Sequence, residues 1–334
     1  MRVLGLDIGG ANIKYALARG KAGLPTPRKI PFELFRDPQK LIVILEKIRT
    51  EKRPDTVALT MTGELADVFS SRKEGVRFII ESVMTVFKNA PIKIIDVNGD
   101  LIFPAQAIKH WKSVASANWA ATGRWVASKI ENCTVVDIGS TTTDIIPIKN
   151  GKVTVKGKND FDRLRTGELL YKGYLRTNSA MVCPVIHLDG KIIEACPEYF
   201  SIIGDAHLYL GDIIATDYTC PTPDSGPKTV RGCARRMARL VLSEAETIGE
   251  GGTRSIARQL VNSQGESIAK AVYKIAGKRG IIGAPMVLAG SGEIYKRSLR
   301  KKIKMKFVKT LGGAPISRVD PASCLSQIAL RLTN

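Results

Sequence analysis

Residues 3–14 read VLGLDIGGANIK and residues 133–144 read CTVVDIGSTTTD, the second continuing to 148 as IIPI. Set on their aspartates, the two stretches share one frame: apolar residues, then Asp, Ile, Gly and a small residue. Each is the pattern of a buried strand that carries an aspartate into a tight glycine turn. Each then returns as a second β-rich run, over 13–18 and 144–148. Two hairpins of one design, about 130 residues apart, imply two similar half-folds that face one another.

The rest of the chain agrees with an α/β class. Asp37 opens a helical pattern with Leu41, Ile44, Leu45 and Ile48 on one face, and Thr56–Met61 is a strand that enters TGE at 62–64. A helix is expected over 76–89, a short buried strand over 92–97, and one long helix over 104–129. The second half opens with strands at 133–138, 143–149 and 152–156. Helices follow near 200–211, 228–247 and 253–277, then a strand at 285–289 and a last helix at 322–332. The expected organisation is lobe one over 1–129, lobe two over 130–318, and a C-terminal helix over 319–334 that packs back on lobe one.

At 334 residues the chain exceeds the roughly 250–300 at which single cores stop growing, which suits two lobes. Hydrophobic residues at 44% and charged residues at 25% describe a folded globular protein, not a disordered one. No run is long and apolar enough to span a bilayer, and the opening MRVLGLDIGG enters Asp7 too soon for a secretory leader, so a cytoplasmic location is expected. The six cysteines form no CxxC pair, which suits reduced thiols. Cys183, His187 and Cys196 are the one metal-like grouping, and buried thiols beside a surface histidine explain them better.

The charge of +20 suits an anionic ligand, nucleic acid or a salty cell interior. Its densest run, KRSLRKKIKMKFVK at 296–309, alternates Ile303, Met305 and Phe307 with lysines. That reads as a strand with one buried face, and no interleaving of aromatic and basic residues points to RNA. Nucleic acid is therefore not the expected partner.

Chemistry concentrates in the glycine turns. A glycine after the aspartate lets the backbone approach a ligand and present N–H groups. In the second loop Ser140, Thr141, Thr142 and Thr143 add hydroxyls. That assembly suits a phosphate or diphosphate, with Asp137 and Asp144 placed to hold Mg²⁺ directly or through water. The first loop offers Asp7, Gly9, Gly10, Asn12 and Lys14. A third turn, VLAGSGE at 287–293, brings Gly290, Ser291 and Gly292 after an apolar strand. TMTGELAD at 60–67 and DFDRLRTGELLYKGYLRT at 160–177 share Thr-Gly-Glu-Leu, which singles out Glu64 and Glu168.

These motifs, with EYFSIIGDAHLYLG at 198–211, resemble the tetrahydromethanopterin-linked C1-transfer pathway protein family, a hydantoinase-like branch of the actin-like ATPase superfamily. The resemblance runs through most of the chain. It implies a two-lobed actin-like ATPase (ribonuclease H-like) fold in which each lobe is a mixed sheet with flanking helices and a DxG phosphate hairpin. It also implies a role in methanofuran biosynthesis. The reaction would transfer a (5-(aminomethyl)furan-3-yl)methyl group from its diphosphate to the phenol oxygen of γ-glutamyltyramine, releasing diphosphate.

On that reading Gly9, Gly10, Gly139, Ser140, Thr141 and Thr142 bind diphosphate, and Asp7, Asp137 and Asp144 surround Mg²⁺ or another divalent cation. Glu64, Glu168 or Lys14 assists the phenol, whose ordinary pKa near 10 calls for help. The GSG turn holds adenine or the substrate's ring, because ATP suits these loops although the reaction does not need it. The alternatives are an ATP-dependent small-molecule kinase or amidohydrolase of the same fold, and an ATP-sensing or nucleic-acid-binding module. The sequence leaves room for a homo-oligomer.

Overall fold

Each half of the chain folds around its own sheet, and the aspartate hairpin lies inside that sheet. The computed structural model describes residues 1–20 and 23–332. In the first half the strands are β1 (Arg2–Ile8), β2 (Asn12–Arg19), β3 (Arg28–Pro31), β4 (Thr56–Met61), β5 (Ile92–Ile95) and β6 (Leu101–Ile102). They are ordered β3-β2-β1-β4-β5-β6. β1 pairs antiparallel with β2 and parallel with β4. Helices α1 (Lys40–Lys52), α2 (Arg72–Val86), α3 (Pro104–Lys109) and α4 (Trp111–Val114) accompany this sheet.

After α5 (Asn118–Ala127) come β7 (Cys133–Ile138), β8 (Thr143–Lys149), β9 (Lys152–Val153), α6 (Asp160–Thr166), β10 (Leu169–Leu170) and α7 (Ser179–Val182). The hairpin β11 (Val185–Leu188) and β12 (Lys191–Glu194) follows, then α8 (Ile203–Leu210), α9 (Val230–Ala238) and α10 (Ala245–Arg279). The chain continues through β13 (Met286–Gly290), α11 (Lys296–Arg300), β14 (Thr310–Leu311) and β15 (Ala314–Pro315) to α12 (Pro321–Leu332). The second main sheet is ordered β10-β8-β7-β13, with β9 on β8 and β13 parallel to β7. β1 beyond Arg2, β4 and β7 are buried throughout, in keeping with their largely apolar sequences.

Two helices join the halves. α12 lies on β1, β2 and β4 of the first sheet and also on α5, while α5 packs on β7, β8 and β9 of the second. The core between them takes Val3 and Ala18 from one sheet, Val135, Ile146 and Val287 from the other, and Trp119, Trp125, Cys324 and Leu325 from the helices. Gly5 makes this possible, because a β-carbon there would strike the carbonyl of Ala322.

Some local expectations fail for identifiable reasons. The helix expected over 104–129 breaks into α3, α4 and α5. Ser116 sits at φ 51°, and the carbonyl of Ser113 accepts the N–H of Val97 (2.8 Å). The helix expected over 228–247 stops at Ala238, with Leu242 at φ 50°. α10 begins earlier than expected and is interrupted at Gly249. The basic run 296–309 begins as α11 and forms no regular strand. Ile303 and Met305 are buried as the alternation requires, but only Phe307 bridges to Met286 on β13.

Candidate active site between two aspartate hairpins

The two turns have the same backbone geometry. In the first, the N–H of Gly9 donates to the carbonyl of Asn12 (2.9 Å); in the second, Gly139 donates to Thr142 (2.8 Å). Residues directly opposite on paired strands share a face. In the first sheet the row Lys29, Lys14, Asp7 and Thr60 runs across β3, β2, β1 and β4. In the second, Asp144, Asp137 and Ala289 run across β8, β7 and β13. Lys14 therefore occupies in lobe one the place that Asp144 occupies in lobe two.

The segment 172–176 carries the second loop. Tyr174 N–H donates to Gly139 (3.0 Å), Arg176 N–H donates to Ser140 (2.9 Å), and Thr143 Oγ donates to the carbonyl of Lys172 (2.6 Å). Gly173 lies so close under Ser140 and Thr141 that a β-carbon would collide with their backbone. This explains why the TGELLYKGYLRT stretch accompanies the threonine loop in sequence. The GSG turn abuts the same loop: Ser291 N–H donates to Ile138 (2.9 Å), and Gly290 N–H donates to Val319 (3.2 Å) just before α12.

Asp7 and Asp137 are buried, and burial pushes each carboxyl up to about 7 against the pull of Lys14. Burial also raises Asp144, but Arg163 opposes it with a 2.7 Å ion pair stacked on Trp119. Lys14 lies 2.8 Å from Asp320 and 3.9 Å from Asp7. Burial pushes its pKa down, but Asp320, Asp7 and Asp137 outweigh it and hold the ammonium above its ordinary value.

Glu64 is buried beside the first loop. Its Oε1 accepts from Ser116 Oγ (2.7 Å) and Arg72 (3.0 Å), and burial raises its pKa. Four buried oxygens here have no hydrogen-bond partner: Asp7 Oδ1, Asn12 Oδ1, Thr60 Oγ1 and Glu64 Oε2. Unpaired buried oxygens concentrated at one loop are a mark of a ligand position.

Glu168 and Asp144 are each engaged by partners of their own. Glu168 does not join the cluster; its carboxylate accepts from Lys156 N, Gly157 N, Thr166 Oγ and Arg279, all within 3.1 Å. It anchors the 156–168 segment and has no free lone pair facing the cleft. Nor do Asp7, Asp137 and Asp144 form a ready ligand set. Among the described residues no three His, Cys, Asp or Glu converge to hold a metal, and Asp144 is engaged by Arg163.

Asp320 was missed in the sequence because Asp before Pro at a helix start reads as a cap. It does cap, accepting from Ala322 N (3.0 Å), but its other oxygen holds Lys14. Asp205, from the EYFSIIGDAHLYLG motif, is a core residue paired with Arg236 (2.8 Å) and Tyr218.

A cavity of about 470 Å³ opens from the first loop between the lobes. Ala11, Phe32 and Glu33 line one side, and Thr219, Cys220 and Lys228 the other. Its lobe-one wall hangs on the loop itself, through Phe32 N to Ala11 (3.1 Å) and Leu34 N to Gly10 (3.0 Å). No helix among the described residues is long and apolar enough to cross a membrane.

The hydantoinase/oxoprolinase family matches residues 55–327. The chain is 35% identical over 327 residues to a Methanocaldococcus jannaschii protein named "(4-{4-[2-(gamma-L-glutamylamino)ethyl]phenoxymethyl}furan-2-yl)methanamine synthase", covering 98% of this chain and 97% of that one. Among solved structures it resembles a nucleotide-free acetone carboxylase, with a TM-score of 0.60 at 10% identity, over 98% of this chain and 70% of the other. It also resembles a ROK family glucokinase from Streptomyces griseus, with a TM-score of 0.50 at 13% identity, over 99% of each. At these identities the two structures speak to fold alone. Two sheets with matching aspartate hairpins, and a family match over most of the length, make this chain a member of the hydantoinase/oxoprolinase family on the two-lobed actin-like ATPase fold.

Proposed function

We propose that this protein is a synthase of methanofuran biosynthesis, like the relative it matches over nearly its whole length. It transfers a furylmethyl group from its diphosphate to the phenol oxygen of γ-glutamyltyramine. The bond from the furylmethyl carbon to the diphosphate oxygen breaks, and its electron pair leaves with diphosphate. The phenol oxygen forms the new bond to that carbon and gives up its proton. The carrying observation is the pair of hairpins at one cleft, with buried carboxylates and orphaned oxygens where an anionic ligand and a cation would complete them.

The donor set suits a hard divalent cation such as Mg²⁺. One or two carboxylates, Asp7 and Asp137, would hold it together with the diphosphate, which is the usual division of labour for this ion. When bound, it would neutralise charge on the leaving group. Asp144 orients Arg163 and is not needed as a ligand. Gly9, Gly10, Gly139, Ser140, Thr141 and Thr142 surround the diphosphate.

Of the three proposed bases, Glu64 is best suited. Lys14 is held protonated by Asp320, Asp7 and Asp137, and Glu168 is occupied by its own donors. Glu64 combines a raised pKa with a free Oε2, as a proton acceptor for a phenol requires. The 470 Å³ cavity opens from the first loop at Ala11 and suits the acceptor.

The test is incubation with the furfuryl diphosphate, γ-glutamyltyramine and Mg²⁺ without ATP. Ether product and diphosphate in equal amounts are expected. Absence of both, or a strict requirement for ATP, overturns the reading in favour of a phosphotransferase of the same fold.

A further inference from the structure

Lys14 is spent within the cluster, but two other cations beside the loops are not. Lys29 stands directly opposite Lys14 in the β2–β3 register, on the same face of the first sheet. Arg176 belongs to lobe two, where its own N–H is bonded to the carbonyl of Ser140 in the threonine loop (2.9 Å). Lys14 has carboxylates at 2.8 and 3.9 Å, whereas neither Lys29 nor Arg176 makes an ion pair among the described residues.

Adjacent like charges across two strands are unfavourable; Asp320 and Asp7 offset Lys14, whereas Lys29 has no carboxylate at ion-pair distance among the described residues. Lys29 is exposed on the β3 edge, but desolvation of its ammonium, with Lys14 and Arg176, pulls its pKa below the ordinary value, while Asp217 and Asp320 act in the opposite sense. The charge of Arg176 is felt at Lys29, which brings cations from opposite lobes into one field. The charge of Arg176 also bears on Cys220, a residue of the cavity wall.

We infer that Lys29 and Arg176, one from each lobe, clamp the diphosphate of the donor from outside the two glycine turns. This rests on the reading that a diphosphate occupies the cleft. The planar guanidinium suits two oxygens of one phosphoryl group, and the ammonium suits a single oxygen on the other side. Their charges offset the departing diphosphate's as the furylmethyl carbon–oxygen bond breaks, so they favour departure as well as binding. Because they come from different lobes, the anion also ties the lobes together.

Inorganic pyrophosphate in the presence of Mg²⁺ is the probe, with binding followed by calorimetry on the whole chain. Lys29→Gln and Arg176→Gln are each expected to weaken pyrophosphate binding about ten- to a hundredfold. Lys191→Gln, on the exposed β11–β12 hairpin, is expected to leave it unchanged. Thermal melting verifies that each variant is folded, and Lys29→Arg is expected to restore most of the affinity. In turnover the KM for the diphosphate donor rises while that for γ-glutamyltyramine stays near wild type. Wild-type binding with equal affinity in both Gln variants overturns the clamp and leaves the proposed reaction standing. A folded wild-type protein that binds no pyrophosphate overturns the reading of the cleft and the clamp with it.

Discussion

Asp7 and Asp137 are carboxylates whose pKa burial pushes up to about 7, and their protonation bears on stability. A carboxyl with a raised folded-state pKa binds its proton more tightly in the folded chain than in the unfolded one. Stability from these groups therefore falls as pH rises from the ordinary carboxylate range near 4 up to about 7. Without divalent cations, Asp137→Asn is expected to melt about 2–4 °C above wild type at pH 8 and to lose that gain at pH 4. Calorimetry in chelator measures this, and an equal gap at both pH values refutes it. Glu168 has the opposite sign. Burial pushes it up, but the N–H groups of Gly157 and Lys156, the Thr166 hydroxyl and Arg279 outweigh burial and hold it below its usual range. Its stabilisation is present above the unfolded pKa and is lost as pH falls through the folded value. Glu168→Gln is expected to lose about 3–5 kcal/mol at pH 7, because Arg279 is left without its partner, and the deficit should shrink in acid. Urea melts at pH 7 and 4 decide this, and an unchanged wild-type melt at pH 7 removes the anchoring role.

At the scale of elements, what the sequence displayed was whatever a local pattern can hold. β1, β4, β7 and β8 were legible because each is a largely apolar run, and Asp7, Thr60 and Asp137 stand one residue before the ends of β1, β4 and β7. The break at Ser116 was not, because its cause is distant: the hydroxyl serves Glu64, 52 residues away, and Asp160, 44 residues away. Asp320, Lys29 and Arg176 were hidden in the same way, since a cap, a strand lysine and a loop arginine acquire meaning only when the halves meet. The glycines separate packing from ligand approach. A β-carbon at Gly5 collides with α12, so Gly5→Ala is expected to lose about 1–3 kcal/mol in urea unfolding. At Gly10 a β-carbon meets nothing within 4 Å, so Gly10→Ala should hold stability within about 0.5 kcal/mol. It should nevertheless weaken pyrophosphate binding, because the added methyl stands where the anion approaches. A Gly10→Ala variant with wild-type pyrophosphate affinity contradicts a ligand at that backbone.

In the whole molecule the lobes are joined at the back by α5 and α12 and at the front by a small polar contact. Asp160, at the start of α6 in lobe two, accepts from Ser116 Oγ (2.8 Å) and lies 3.5 Å from Arg72, both of lobe one. The same two groups hold Glu64, so the proposed base and the closure contact share their donors. α5 and α12 bury an apolar core shared by both sheets, which leaves the back closed whenever the protein is folded. The front contact is partly exposed and, as such pairs go, worth about 1 kcal/mol or less. Asp160→Ala should therefore leave folding intact and shift the ratio of open to closed lobes by up to about fivefold. Glu64 keeps both donors in the variant, so proton transfer is preserved and the change falls on substrate retention. The expected result is a larger radius of gyration by small-angle scattering and a higher KM for the diphosphate donor, at nearly unchanged kcat. Saturating pyrophosphate with Mg²⁺ should bring the variant's radius back toward wild type, because Lys29 and Arg176 still bridge the lobes through the anion. A radius equal to wild type in the free protein, or a fall in kcat without a rise in KM, would show that Asp160 acts on Glu64 instead of on closure.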